Sequence, residues 1–258
     1  MKKVIFIWFL VVWLGLFSPR IVFAQFGDLW GIFKEVLNNE KTTKTNQKLE
    51  DEILKPLAKD IGGIFGGGSF HTAKTCGFPG FDIGGHLPII SKLSEENKIM
   101  AEKWKDKPYG IPWIQGEVGL PFSLDLILRG FYLGKDGGTL FGTGIKYVLL
   151  SGDVPLTPAL SFTLLLNRLA HDYLTVDNLS LNGIISIGLP VFTPYLGLGI
   201  DNTTVESRVV VEGLKATASG LRFIGGINFK LVPSTYFHLG LGTFNGILGY
   251  ELGVGMSL

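Results

Sequence analysis

Charged and histidine side chains recur at every second position along several segments of this sequence. Alternation with a period of two is typical of β-strands, in which successive side chains point to opposite faces. The polar face would carry Asp82, His86, Glu117, Asp125, Arg129, Lys146, Asp201, Arg222, Lys230, His238 and Glu251. Ionised groups that leave water must be paired or hydrogen-bonded. The pattern therefore predicts either ion pairs that bridge strands or a polar path lined by these residues.

Particular pairs follow from this pattern, and we expect Glu117 to bridge to Arg129 or to Lys146 on a neighbouring strand. None of the four histidines lies in a nucleophile-elbow or zinc motif, and no serine stands out as a catalytic partner. Cys76 is the single cysteine, which excludes an internal disulfide and a cysteine-based metal site. The sequence predicts no catalytic residue, no bound metal and no cofactor.

The first 24 residues have the pattern of a secretory signal peptide. Lys2 and Lys3 precede an apolar run at 4–17, and Val22 and Ala24 occupy positions −3 and −1 of a cleavage site. A single anchoring helix is the alternative, which the short run disfavours. The exported chain, 25–258, would carry a net charge of about −2, which gives no indication of nucleic-acid binding.

High apolarity without a second long apolar run distinguishes the rest of the chain. The full sequence is 46% hydrophobic and contains 36 glycines, and behind an export signal this composition favours a β-barrel. Alternation predicts ten strands: 78–87, 111–120, 124–133, 140–149, 158–168, 179–189, 194–203, 219–231, 235–243 and 247–258. Most have the length that crosses a bilayer as a tilted strand. The predicted fold is all-β, a transmembrane antiparallel up-and-down barrel at 78–258; a soluble β-sandwich is the rival.

The connections between these strands fall into two kinds. Prolines mark every second connection, at Pro121, Pro155, Pro190 and Pro233, whereas the intervening connections are mostly longer and more charged, above all 88–110. Bacterial barrels have short periplasmic turns and longer outer loops. This asymmetry predicts that the chain ends on the periplasmic side.

Residues 25–61 are predicted to be helical, with two apolar stripes separated by a polar run at 38–48. Residues 62–77 are too rich in glycine for a helix and are interpreted as a flexible connector, because no strand and no Gly-Lys-Ser/Thr arrangement frames a phosphate loop. The stripes could pack on each other, plug the barrel or lie at the membrane interface. We expect a periplasmic helical hairpin beneath the barrel.

The last eight residues, ELGVGMSL, alternate up to the final side chain. Glu251, Gly253, Met256 and Leu258 follow the order polar, glycine, apolar, apolar, which resembles the C-terminal signal that the barrel-assembly machinery recognises in outer-membrane proteins. Residues 50–258 are also similar to uncharacterised bacterial outer-membrane barrels with a helical N-terminal segment. That similarity rests on LKPLAKDIGGIFGGG at 54–68, GFDIG at 80–84 and GLP at 119–121 and 188–190.

The resemblance implies an outer-membrane location in a Gram-negative-type bacterium, with membrane lipid and the assembly machinery as partners. A more distant, architectural likeness links the chain to transporters of hydrophobic compounds, which place N-terminal segments inside the barrel. The leading functional hypothesis is a narrow, porin-like channel or transporter for small or hydrophobic solutes. A structural or adhesion-type protein with a packed interior is the alternative, and a membrane enzyme is the least favoured.

Overall fold

The structure is a computed structural model that describes most of the chain. The described residues are 19–99, 107–134, 137–152, 154, 156–209, 213–232 and 234–258, with side chains described for all of these except 19–29, 231 and 232. Most of the predicted signal peptide, residues 1–18, lies outside them.

The strands form one antiparallel sheet that closes on itself. They are β1 Phe81–Ile90, β2 Tyr109–Gly110, β3 Trp113–Leu120, β4 Leu124–Tyr132, β5 Thr139–Leu150, β6 Pro158–Ala170, β7 Leu174–Ile187, β8 Phe192–Ser207, β9 Lys215–Val232, β10 Thr235–Phe244 and β11 Ile247–Ser257. From β3 to β11 each strand pairs with the next, β1 pairs with both β3 and β11, and β2 adds a short strand on β1. The predicted fold class, a barrel of ten strands with a helical N-terminal segment, is confirmed.

The barrel wall presents a continuous apolar band to its surroundings. On β8, Leu196, Leu198 and Ile200 are 53%, 64% and 56% exposed, whereas Asp201 on the opposite face is 1% exposed. From Phe192 to Ile200 the band extends roughly 26 Å along the strand. A tilt of about 40° reduces this to about 20 Å across the membrane, near the height of such bands in outer-membrane barrels. The outward face is therefore the surface that meets lipid.

The wall extends beyond this band at one end, which we call the loop end. There, outward-facing polar pairs replace the apolar residues: Asn202 donates to Ser219 over 3.2 Å, and the Thr204 and Thr217 hydroxyls lie 2.8 Å apart. The predicted loops 169–178 and 204–218 are wrong, because strands continue through most of both and leave only 171–173 and 208–214 between them. The charged residues of these strand extensions lie on the outside of the wall. In the sequence, such charged stretches are also typical of loops.

The first strand also differs from its predicted range. It begins at Phe81 and runs through Pro88 to Ile90, so the proline does not end it. Where β1 pairs with β11 and closes the barrel, the backbones of Phe81 and Leu258 exchange two hydrogen bonds of 2.8 Å. The chain is thus still paired at its last residue.

The N-terminal helices are α1 Pro19–Glu40, α2 Asn46–Leu49, a π-helical turn at Glu50–Leu54, and α3 Lys55–Phe65. Among the described residues, no helix combines the length and apolarity that crossing a membrane requires. Their apolar stripes share one core with the inward face of the extended wall. Its fully buried members include Phe33, Leu57, Leu169, Val176 and Val205.

These helices form a cap at the loop end of the barrel. Trp30 donates its indole N–H to the Gly137 carbonyl over 3.3 Å, and Asn245 donates to the Lys59 carbonyl over 2.7 Å. Both partners lie at the end opposite Leu258. A helical hairpin was expected beneath the barrel, and the structure places the helices at the end opposite Leu258. The stripes need an apolar surface, and the inner face of the strand extensions supplies it.

The apolar band gives a test with a matched control on one strand. Leu198→Arg places a charge in the middle of the band and is expected to lower the free energy of unfolding by about 2–4 kcal/mol. Asn202→Arg lies four residues away on the same face, beyond the band, and should cost about 0–1 kcal/mol. Urea unfolding of the protein folded in lipid vesicles measures both. Equal effects would contradict the position of the band.

Candidate functional site

Residues 62–80, which we call the plug, run through the barrel from the loop end to the end that holds the C-terminus. Gly62 lies against Thr203 near the loop end. Further along, Ser69 accepts a hydrogen bond of 3.1 Å from Asn182, and the Ala73 amide donates to Ser186 over 3.0 Å. The Cys76 amide then donates to Asp125 over 3.1 Å, beside the short turn before β4. The segment interpreted as a flexible connector is the filling of the barrel.

Two glycines of the plug lie where the wall leaves no room for a side chain. A Cβ atom added to Gly66 would lie 2.0 Å from an Asp201 oxygen and 2.1 Å from Arg222, and one added to Gly67 would lie 2.8 Å from Glu251. Any side chain at these two positions would displace the charged groups of the wall. The run of glycines is therefore explained by close approach rather than by flexibility.

Two arginines of the wall bind the C-terminal end of α3. Arg129 donates to the Gly67 carbonyl over 2.8 Å and also to the Phe65 carbonyl, and Arg222 donates to the Gly63 carbonyl over 3.3 Å. The last carbonyls of a helix have no partner within the helix. They also form the negative end of its dipole. Cationic side chains satisfy both requirements at once.

Each arginine has further partners in the wall. The Arg222 guanidinium contacts both carboxylate oxygens of Asp201, at 2.7 and 2.8 Å, and Ser180 donates to the same carboxylate. Arg129 donates to Asn167 over 2.8 Å and lies 4.3 Å from the ring centroid of Trp113. The positive charges are thus paired or stacked rather than directed at an open channel.

A second ionic cluster lies toward the C-terminal end. Lys146 contacts Glu117 at 2.6 Å and Asp125 at 3.0 Å, and Thr75 of the plug donates to Asp125 over 2.6 Å. The predicted Glu117–Lys146 bridge is confirmed. The alternative bridge from Glu117 to Arg129 is wrong, because the Arg129 guanidinium is used by the plug carbonyls.

The ligand atoms of Cys76, Glu117 and Asp125 lie within 4.8 Å of one another, a spacing that could hold a metal ion. However, the Lys146 ammonium already lies against both carboxylates and neutralises part of their charge. A metal cation would have to compete with this lysine.

A third polar cluster inside the barrel contains three histidines, His71, His86 and His238. His86 Nδ1 lies 3.1 Å from His238 Nε2, and the His71 ring of the plug is stacked on Tyr236 with 5.0 Å between centroids. Tyr236 donates its hydroxyl to Asp82 over 2.8 Å, and Ser257 also donates to Asp82.

The predicted interior residues can now be placed in the barrel. Those buried inside it are Asp82, His86, Glu117, Asp125, Arg129, Lys146, Asp201, Arg222, His238 and Glu251. Lys230 differs, because it lies near the end of β9 and its side chain is exposed. The sequence did not reveal the partners of these groups on the plug. The only signal was the glycine run at 62–68, which a narrow barrel explains.

The four residues of the predicted assembly signal lie in different environments. Glu251 accepts a hydrogen bond of 2.8 Å from the Gly68 amide, inside the barrel. A Cβ atom on Gly253 would lie 1.8 Å from His238 Nε2. Met256 is half-buried and Leu258 is 59% exposed on the outer face.

One buried carboxylate lies in the cap, outside the membrane-spanning strands. Asp60 of α3 accepts a hydrogen bond of 2.8 Å from Asn97, and the amide and hydroxyl of Ser94 each donate to it over 3.1 Å. Burial raises the pKa of Asp60 above its ordinary value, and these hydrogen bonds oppose the shift.

Comparisons with known proteins locate similar folds but no relative in sequence. No protein-family model matches the chain, and no curated protein matches it. Among solved structures, the KdgM porin is 10% identical, with a TM-score of 0.37 over 69% of this chain and 99% of that one. The N-terminal β-barrel domain of Pseudomonas aeruginosa OprF is 15% identical, with a TM-score of 0.34 over 69% and 97% of the two chains. Ail, the attachment invasion locus protein of Yersinia pestis, is 11% identical, with a TM-score of 0.34 over 70% and 100%.

The lysine cluster provides a test of the interior ion pairs. Lys146→Met leaves Glu117 and Asp125 buried without their cation, and we expect a loss of about 3–5 kcal/mol in the free energy of unfolding. Lys230→Met removes an exposed lysine and should change stability by less than about 0.5 kcal/mol. Adding Glu117→Gln and Asp125→Asn to Lys146→Met should restore part of the loss. A mild effect of Lys146→Met would show that the cluster does not stabilise the barrel.

Asp60 provides a test that depends on pH. A carboxyl whose pKa is raised on folding stabilises the protein below the pKa of the unfolded chain, about 3.9. That stability is lost as the pH rises through the higher folded value. Asp60→Asn removes the loss, so its stability relative to the wild type should increase from pH 4 upward. Hydrogen exchange of the cap amides at a series of pH values measures the difference. Parallel pH profiles for the two proteins would contradict it.

Proposed function

We propose that this chain is an outer-membrane β-barrel protein that anchors its own helical cap, with its lumen closed by the plug. The observation that carries the proposal is the plug itself, which occupies the barrel from one end to the other. Charged groups of the wall are bonded to it rather than left facing water, as in the contacts of Arg129 and Arg222 with the carbonyls of α3. This corresponds to the structural or adhesion-type alternative with a packed lumen.

The orientation of the barrel follows from its two different ends. In bacterial barrels the longer loops face the outside of the cell, and here the longest connection between strands, 91–108, lies at the loop end. The loop end and the cap would then face the outside of the cell. On this proposal the chain is exported, contacts membrane lipid along the apolar band and is inserted by the barrel-assembly machinery.

A transporter of small or hydrophobic solutes is the second candidate. It is favoured by the composition of the plug, because Gly66, Gly67 and Gly68 present backbone rather than side chains to the wall. Between residues 66 and 69 the plug is held by hydrogen bonds, so Phe70 is the large apolar side chain that would have to leave its buried position if the segment moved. In this alternative the plug would shift to open a narrow path, and the apolar core of the cap would lie at its entrance.

Recordings in planar bilayers distinguish the two candidates. We expect the full-length protein to show no steady conductance, whereas a variant without residues 25–77 should show discrete open steps because its lumen is empty. Migration that changes on heating should confirm that the deletion variant is folded. Steady conductance of the full-length protein would contradict a closed lumen.

A disulfide that locks the plug sharpens this comparison. Ser69 and Asn182 have side-chain atoms 3.1 Å apart, so Ser69→Cys with Asn182→Cys, in a Cys76→Ser background, would tie the plug to β7. If the protein is an anchor, locking changes neither conductance nor uptake of solutes into vesicles. If uptake occurs and locking stops it, the transporter hypothesis replaces our proposal. The reduced form of the same variant is the control.

A further inference from the structure

Three of the four histidines of the chain meet inside the barrel. Their ring centroids are 5.5 Å apart for His71 and His86, 5.8 Å for His71 and His238, and 5.2 Å for His86 and His238. They come from three separate elements: the plug, β1 and β10. All three side chains are fully buried or nearly so, at 2%, 0% and 0% exposure.

A glycine in the strand between them makes this meeting possible. β11 separates β1 from β10, and Gly253 is the register partner of both His86 and His238. A Cβ atom at Gly253 would lie 1.8 Å from His238 Nε2, and one at Gly84 would lie 2.9 Å from His86 Nε2. The two imidazoles therefore cross the space that side chains at these positions would fill.

Two imidazole nitrogens of this group have no partner among the described residues. Within the described part of the chain, His71 Nδ1 and His86 Nε2 are buried and have no hydrogen-bond partner. His86 Nδ1 and His238 Nε2 face each other at 3.1 Å, and His238 Nδ1 lies 3.5 Å from the Tyr195 hydroxyl. An unsatisfied buried polar atom lowers the stability of the folded protein, so this arrangement points to a missing ligand.

Two of the three imidazoles already have the spacing of ligands of one tetrahedral ion. With metal–nitrogen distances of about 2.0–2.1 Å, neighbouring ligand nitrogens lie about 3.4 Å apart and their ring centroids about 5 Å apart. The His86–His238 nitrogen distance and all three centroid distances are close to these values. The nitrogens of His71 are more widely spaced from the other two, so binding of an ion requires the His71 ring to turn a nitrogen toward them and to leave its stack on Tyr236.

We propose that His71, His86 and His238 bind a divalent metal ion of the zinc class, which ties the plug to the barrel wall. Neutral imidazole suits zinc, nickel and copper, whereas calcium and magnesium prefer oxygen ligands. Tyr195 lies beside the other nitrogen of His238, in the position of the outer partners that orient metal-bound histidines. The ion would hold the plug in place in either functional candidate above.

The test uses the full-length protein refolded from urea into detergent with Zn²⁺ or Co²⁺. We expect one equivalent of tightly bound ion after desalting, and visible absorption bands typical of tetrahedral Co²⁺ with nitrogen ligands. His71→Gln lies on the plug, outside the strand ladder, so the barrel should still fold, as heat-modifiable migration will show. This variant should bind Co²⁺ at least about tenfold more weakly. Removal of the ion with a chelator should lower the unfolding temperature of the wild type only.

Two matched variants make the experiment specific. His171→Gln changes the fourth histidine, which packs against Trp30 and Tyr173 at the loop end, and it should bind Co²⁺ as the wild type does. Cys76→Ser should also leave binding unchanged. Binding that is lost in Cys76→Ser but kept in His71→Gln would place the ion beside Lys146 and overturn the proposal. Absence of stoichiometric Zn²⁺ and Co²⁺ binding to the folded wild type would overturn it as well.

Discussion

The carbonyl groups at the end of α3 have to find partners inside a membrane-embedded barrel, and two arginines supply them. Arg129 on β4 and Arg222 on β9 reach these carbonyls from different sides of the wall. Asp201 in turn balances Arg222. Because a buried guanidinium is costly without such partners, the helix end and the charged wall stabilise each other. These contacts fix how deeply the plug enters the barrel. They therefore also set the positions of the plug residues that follow α3 toward the C-terminal end of the barrel.

The barrel has two kinds of interior, which reflect what lies outside the wall at each level. Within the apolar band, the apolar side chains point outward and the charged side chains point inward. Leu198 and Asp201 show this on β8. Beyond the band, toward the loop end, the polar side chains point outward and the apolar side chains point inward. Thr204 and Val205 show this on the same strand. The same period of two therefore produces an ionic interior below and an apolar core above. This inversion explains why the cap packs at the loop end.

The strands could be predicted because alternation is a local property, whereas the route of the plug could not. Glu117 and Lys146 both belong to the inward face, so their bridge followed from the pattern. The sequence left Arg129 and Lys146 as alternative partners of Glu117, because the backbone carbonyls that bind Arg129 cannot be recognised in a sequence. The apolar stripes of the helices showed that they need a partner surface. That surface, the inner face of strands mistaken for loops at 169–178 and 204–218, was hidden by the outward charges of the same strands.

The last strand shows how one short segment can answer two demands. Glu251 and Gly253 were predicted to belong to a C-terminal assembly signal, and the folded barrel gives both residues a structural role. Glu251 accepts a hydrogen bond from the Gly68 amide of the plug, and Gly253 leaves the space that the His238 ring occupies. Met256 and Leu258 lie on the outer face, where Met256 is half-buried and Leu258 is exposed. The contacts inside the filled lumen therefore require Glu251 and Gly253 at these positions, whether or not insertion into the membrane also requires them.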